Sequence, residues 1–399
     1  MRHYLVLCFF CLQMIQSVYA QPVLNHPVWV ERFYKAWGDR FFWMGSDVNA
    51  TELRAALIEV LQVSDREGVL QKPYHLEHLV ELPSTKASTD SMTLDRLFTD
   101  AALSALMDHR RGFNRKNPME FDAVSSVTRK KEEEWVVNAL LGAGDAVSLI
   151  RLFGSLEPIM PTYRILRQRY AAQANPDTLR ILKETMNLFR WIDHFRFDRF
   201  IVIDRSTAEL FLYEHDTVRM QMRVVLGKEE TPTPTFAAWA ESAILYPYWY
   251  VPASIFYKEC IGQIIRNRRW LDWNRMEVVD GAGGVIDPLS VNWPSYRKGG
   301  FPYTLRQRTG CDNSLGIFKI DIQTPFSVYL HDTNNRGVFV RKHRYLSHGC
   351  IRLENPIGLG QALLGDRLDV ARLRACLTDQ KPDRVFFSSP LPVFLLDEL

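Results

Sequence analysis

The residues best suited to chemistry lie in one short run, Ser347-His348-Gly349-Cys350-Ile351-Arg352. Thiolate, not thiol, is the nucleophile, so a working cysteine needs an exposed sulfur and a base close by. Gly349 lets the backbone approach a substrate carbonyl closely. Upstream, Phe326-Ser327-Val328-Tyr329-Leu330 reads as a strand that ends in His331-Asp332-Thr333, with His331 nineteen positions before Cys350. A histidine at a strand end can meet a cysteine on an adjacent loop. The chemistry expected of the pair is thiol attack, with His331 taking the proton and either the carbonyl or the carboxylate of Asp332 fixing the imidazole tautomer. Alone the pairing is not decisive, because a buried cysteine is commonly an inert small hydrophobe and His348 could simply satisfy a loop carbonyl.

A metal site built from His331, His348 and Cys350 is disfavoured, since the His-Gly-Cys spacing is too tight for comfortable tetrahedral ligation. No metal and no cofactor are expected. Two of the six cysteines, Cys8 and Cys11, fall in the first twenty residues, leaving Cys260, Cys311, Cys350 and Cys376. With Cys350 reserved for chemistry, a Cys260–Cys311 bridge is one possible pairing, which the sequence does not decide. The balance of 49 basic against 46 acidic residues, net +3, is too even to imply nucleic-acid binding or electrostatic capture on a membrane.

These residues need elements to position them, and the chain supplies two kinds. Arg2, the apolar run Tyr4 to Ile15 and the small-residue end at Val18-Tyr19-Ala20 read as a secretory signal (1–20), cleaved after Ala20. The apolar run is short of the roughly 20 residues that span a bilayer, and no later stretch is long and apolar enough. From about residue 26 to 195 the apolar spacing is helical. Asn175-Pro176-Asp177 starts one helix, with Leu179, Leu182, Met186 and Phe189 on one face. Another is expected to start at Thr99-Asp100, after a Ser/Thr-rich loop over 82–95, and the charge run Arg129 to Glu134 reads as a solvated face. Near Phe197 the pattern turns to strands: Phe200-Ile201-Val202-Ile203, then Leu210-Phe211-Leu212-Tyr213, then an alternating run with Val218, Met220, Met222 and Val224 on one face. Residues 254–300, basic, Gly-rich and Trp-rich, break the rhythm and read as an inserted subdomain. Arg341-Lys342-His343-Arg344 reads as solvated surface.

Ser-His-Gly-Cys-Ile-Arg with its upstream histidine resembles the motif of the L,D-transpeptidases with a YkuD-type catalytic domain, and the likeness is greatest to the YcbB-like subgroup. Val224 to Lys228 with Thr231-Pro232-Thr233-Pro234, Tyr248 to Ile255, Leu305-Arg306-Gln307, Asn313-Ser314-Leu315-Gly316 and Val328 to Thr333 resemble catalytic-domain segments of that subgroup. Tyr74-His75-Leu76 and Thr99 to Leu103 resemble its helical scaffold. Two departures stand out: Thr309-Gly310-Cys311-Asp312 replaces the usual Pro-Gly, and Tyr170 to Asn175 leaves no room for the small peptidoglycan-binding module often found before the catalytic domain.

The resemblance implies an α+β protein: a signal (1–20), an N-terminal all-α scaffold domain (21–195) and a mainly β, β-sandwich YkuD-like catalytic domain (196–399) with a substrate-capping insertion (254–300). It implies a periplasmic enzyme acting on peptidoglycan stem peptides. Cys350 forms a thioester with the third stem residue, D-alanine leaves, and a side-chain amine of a second stem makes a 3-3 cross-link. Water as acceptor would make the protein an L,D-carboxypeptidase instead, and a catalytically silent wall-binding scaffold is the third reading. Carbapenem-type β-lactams are expected inhibitors. Backbone amides around His348, Gly349 and Cys350 are candidate oxyanion donors. Arg352 either binds a substrate carboxylate or holds the loop by pairing with Glu354. Ser347 either orients His348 or caps the turn, and Tyr329, Asn313 and Trp249 are candidates to line the substrate site.

Overall fold

The computed structural model describes residues 23–38, 40–81, 91–113 and 126–396, the side chains of 126–130 excepted. The expected signal segment (1–20), and residues 82–90 of the expected loop, lie outside them. The chain forms two compact units, the second beginning at Phe197.

The first unit is helical: α1 (Pro27–Trp37), α2 (Val48–Arg66), α3 (Leu76–Glu81), α4 (Ser91–Arg111), α5 (Ser126–Leu141), α6 (Ala146–Ser155), α7 (Pro161–Ala171) and α8 (Pro176–His194). Asn175 caps α8 as its sequence suggests, its side chain accepting from the amides of Asp177 and Thr178. The helix expected to start at Thr99-Asp100 starts instead at Ser91, and Asp95, Thr99 and Asp100 lie buried within it. These carboxylates satisfy main-chain donors of other segments. Asp95 accepts from the amides of Phe42, Trp43 and Met44, and Asp100 from those of Asn25 and His26. The charge run is not wholly solvated either: Glu132 pairs with Arg110 at 2.7 Å and Glu133 with Arg32 at 2.9 Å.

The second unit is built on strands β1 (Arg199–Asp204), β2 (Glu209–Glu214), β3 (Thr217–Gly227), β4 (Phe236–Leu245), β5 (Trp249–Tyr250), β6 (Met276–Val279), β7 (Val285–Ile286), β8 (Thr304–Gln307), β9 (Phe318–Gln323), β10 (Tyr329–His331), β11 (Tyr345–Ser347), β12 (Ile351–Leu353) and β13 (Asp383–Leu396). Nine of them form one sheet in the order β11-β3-β12-β10-β9-β4-β13-β1-β2, and β2 also pairs with β3, so the sheet folds back on itself. Strand β3 makes this closure. Its first half pairs with β2, and Val224 and Val225 pair with β12. Val218 is exposed at its start, whereas Met222, Val224 and Leu226 enter a core shared with Ile203, Phe318, Ile320, Leu330, Ile351 and Leu395.

Between β4 and β9 lies the insertion, wider than 254–300. Its sheet, β5-β8-β6-β7, is framed by β5 and β8, which lie outside those limits. Helix α9 (Ala253–Ile255), a π-helical turn (Phe256–Cys260), α10 (Ile261–Arg266) and α11 (Trp270–Trp273) lie between β5 and β6. Phe256, Cys260, Ile264, Val278, Trp293 and Leu305 give the insertion a core of its own. Cys260 is buried there and free, and Cys311 bonds Cys376 rather than Cys260. Cys260 packs instead among the apolar side chains of the insertion core. Helices α12 (Pro356–Leu364) and α13 (Val370–Arg374) follow β12.

Candidate active site

Register places the chemistry on one face of three strands. Leu330 pairs with Ile351 across the parallel β10 and β12, and both enter the core. By alternation Tyr329, His331, Cys350 and Arg352 share the opposite face. On the other side of β10, Lys319 lies opposite His331 and Asp321 opposite Tyr329, so both join that face. The sequence reading missed Lys319. Its signal was the alternation of Phe318-Lys319-Ile320-Asp321-Ile322, which sends one lysine and one aspartate outward together. Lys319 pairs with Asp321 at 2.6 Å and stands 4.2 Å from the centre of the Tyr329 ring.

His331 is buried, and its Nδ1 lies 2.5 Å from the carbonyl oxygen of Asp332. A carbonyl only accepts, so Nδ1 carries the proton and Nε2 keeps its lone pair. Burial first, and the nearby charge of Arg352 second, push this imidazole down to about 3. Of the two acceptors considered for Asp332, the carbonyl serves. Its carboxylate is engaged elsewhere, by the amides of Ile317 (3.1 Å) and Thr333 (2.6 Å) and the guanidinium of Arg336 (2.5 Å). Burial raises its pKa against the pull of Arg336.

Cys350 is half-buried, its Sγ 4.0 Å from the carbonyl oxygen of Ser327. Burial raises the thiol above its ordinary range, opposed by hydrogen bonds from Tyr329 and by the charges of Lys319 and Arg352. Among the described residues the sulfur has Ser327 and Tyr329 as hydrogen-bond partners, rather than His331. Arg352 does not pair with Glu354, which binds Arg223 instead, at 2.9 Å from its Nε. The Arg352 Nε is buried without a hydrogen-bond partner, and burial lowers the guanidinium's pKa.

The loop that carries Cys350 is tied from both sides. Ser347 caps it, donating to the Cys350 carbonyl at 2.6 Å and accepting from the Gly349 amide at 3.1 Å, so it does not orient His348. That bond occupies the Gly349 amide and removes it from the candidate oxyanion donors. Gly349 has φ +118°, which favours glycine, and its carbonyl accepts from Thr233, whose hydroxyl oxygen accepts in turn from the Gly227 amide. In sequence Thr233 stands out only as part of the run Thr231-Pro232-Thr233-Pro234. His348 is exposed and meets Glu259 of the insertion at 2.7 Å, a partner that residue type alone gave no reason to choose. Arg344, expected on solvated surface, donates to the carbonyls of Thr207 and Val224.

Asn313 is not at the substrate surface. It is fully buried, its amide nitrogen facing the carbonyls of Pro247, Gln307 and Arg308 and its oxygen accepting from the Leu315 amide at 2.7 Å. Trp249, half-buried in β5, lines a cavity of about 520 Å³ with Glu259, Gln307, Asp312 and Asn334. Cys350 is not part of that lining. No group of three or more His, Cys, Asp or Glu residues suited to a metal occurs among the described residues, and no helix among them is long and apolar enough to cross a membrane.

Residues 198–362 match the family described as the L,D-transpeptidase catalytic domain, YkuD, and residues 28–169 match the Scaffold domain family. A Haemophilus influenzae protein provisionally named an L,D-transpeptidase is 30% identical over 196 residues, which is 49% of this chain and 40% of that protein. This chain therefore spans well under two thirds of that relative. Among solved structures, L,D-transpeptidase 3 from Mycobacterium tuberculosis in complex with a faropenem-derived adduct is 14% identical, covering 50% of this chain and 60% of that one, with a TM-score of 0.24. L,D-transpeptidase from Mycobacterium smegmatis is also 14% identical, covering 50% and 58%, with a TM-score of 0.21.

Proposed function

This chain carries the L,D-transpeptidase catalytic domain of the YkuD family behind a Scaffold domain, and from that premise we propose that it is a peptidoglycan 3-3 cross-linking enzyme with Cys350 as nucleophile. The observation that carries the reading is the shared face of Cys350, His331 and Arg352, with the His331 Nδ1 hydrogen held by the Asp332 carbonyl. Neutral His331 takes the thiol proton on Nε2 as Sγ attacks the carbonyl carbon of the third residue of a donor tetrapeptide stem. The bond to the terminal D-alanine breaks, its nitrogen leaves with the proton from His331, and a thioester remains. A diamino-acid side-chain amine of a second stem then attacks that thioester, gives up a proton to His331, and returns the thiol. The oxyanion of each step needs donors already aimed at it, and the amides of His348 and Cys350 are the candidates. Arg352, half-buried, with its Nε buried and unpaired, suits the terminal carboxylate of the donor.

The N-terminal run ending at Ala20 supports export, and the substrate supports the periplasm as the working compartment. The test is mass spectrometry of the protein and its Cys350→Ala variant incubated with disaccharide-tetrapeptide. A dimer lighter by one D-alanine, absent with the variant, is the expected result. Tripeptide without dimer would replace the reading by L,D-carboxypeptidase, and no change at all would sink it.

A further inference from the structure

The tryptophans of the insertion have no part in the thiol chemistry, yet Trp249, Trp270 and Trp273 all face the 520 Å³ cavity. Trp273 is 69% exposed at the end of the four-residue helix α11, an unusual place to leave an indole. Around the rings stand hydrogen-bonding side chains: Gln263, Asn274, Asp312 and Ser314. Large aromatic surfaces mixed with a few polar groups make a site for a ligand that is apolar on its faces and polar on its rim. A pyranose ring has that form, with C–H groups on its faces and hydroxyl or acetamido groups around its edge. The carboxylates of the lining, Glu259 and Asp312, accept hydrogen bonds from such groups and repel the carboxylates of a stem peptide.

We propose that this cavity is a glycan subsite that holds an N-acetylated amino-sugar ring of the donor strand. The proposal rests on the transpeptidase reading and adds to it the part of the substrate bound away from the reacting bond. Position agrees with chemistry. Glu259 lines the cavity and holds His348 at 2.7 Å, two residues before the nucleophile. A stem of three extended residues reaches roughly 10 Å, which lets the acylated carbonyl sit at Cys350 while its sugar lies in the insertion.

Calorimetric titration of the full chain carrying Cys350→Ala with di-N-acetylchitobiose, and separately with sugar-free tetrapeptide, tests the assignment. Chitobiose is expected to bind and to quench tryptophan fluorescence. A further Trp273→Ala change weakens chitobiose about tenfold or more and leaves tetrapeptide affinity unchanged. Gln263→Ala, an exposed position, guards against a folding artefact and weakens chitobiose in the same direction. In the active protein, Trp273→Ala raises KM for disaccharide-tetrapeptide without lowering kcat. Absence of chitobiose binding, or an equal loss for both ligands, which would make the occupant a peptide, overturns the proposal. D-alanine release reports separately on the reading beneath it: chitobiose binding without release removes the transpeptidase and keeps the glycan subsite, and release without chitobiose binding does the reverse.

Discussion

Burial holds both members of the Cys350–His331 pair in their neutral forms. The imidazole lies near 3 and the thiol above its usual range, so the resting site at neutral pH is thiol and imidazole, not thiolate and imidazolium. A raised thiol pKa means less thiolate at a given pH, and alkylation needs thiolate. The rate of Cys350 alkylation by iodoacetamide is therefore expected to climb through the alkaline range with no plateau near neutrality. A plateau below about pH 7 would show an ion pair and remove the argument. Lys319 and Arg352 act the other way, and Lys319→Met slows alkylation at a fixed pH. At this scale the six-residue motif around Cys350, rather than the pair alone, favoured chemistry over an inert thiol, so the candidate pair was legible. Asn313 was not. A polar side chain in a resembling segment looks the same in sequence whether it faces a substrate or three carbonyls. Asn313→Ala strands the Leu315 amide and those carbonyls, and is expected to cost about 2–3 kcal/mol in a urea melt. Intact stability with a raised KM would return Asn313 to the substrate surface.

Elements explain how the sulfur is aimed. Strand β3 closes the sheet, and beyond Gly227 the chain turns back so that Thr233 bonds both the Gly227 amide and the Gly349 carbonyl. The turn is tight enough that a Cβ at Gly227 would fall 2.1 Å from the Thr231 carbonyl oxygen. Strand character around residues 200–226 could be read from alternation, whereas the edges of the insertion could not. Strands β5 and β8 fall outside the 254–300 limits because runs of two and four residues give almost no period to measure. The disulfide was equally out of reach, since spacing along a chain says little about which sulfurs meet. Cys311–Cys376 closes a loop 65 residues apart in sequence, for which chain entropy predicts about 4 kcal/mol of stabilisation. Reduction, or Cys376→Ser, should lower the denaturation midpoint by a corresponding amount. An unchanged midpoint would mean that the pair is unbonded in solution.

At the level of the molecule, one helical core draws on residues up to 153, while the core of the large sheet and that of the insertion are both drawn from residues beyond 200. The change from helical spacing to alternation near Phe197 made this division readable, while the buried carboxylates that lace α4 to its neighbours were not, because Asp95 and Asp100 carry the same letters as surface residues. A unit with its own core can in principle fold alone. A fragment of residues 197–399 is expected to unfold cooperatively and to be acylated at Cys350 by a carbapenem, followed by intact mass. A fragment that stays unfolded would show that the helical unit is needed for the fold of the second.

The acceptor for the His331 ring is a main-chain oxygen. Where a carboxylate holds a catalytic histidine, one codon change can erase the hold. Here a change of the Asp332 side chain does not delete the acceptor itself, so the tautomer that keeps Nε2 free depends on the path of the backbone and not on a carboxylate at that position. The vulnerable positions are instead those that fix the backbone there. Gly316 is the foremost, since a Cβ on it would stand 2.2 Å from the Asp332 carboxylate. Substitutions that disturb the His331 ring should act through what holds that backbone, Gly316 and the Asp332 carboxylate with its Ile317 and Thr333 amides among them.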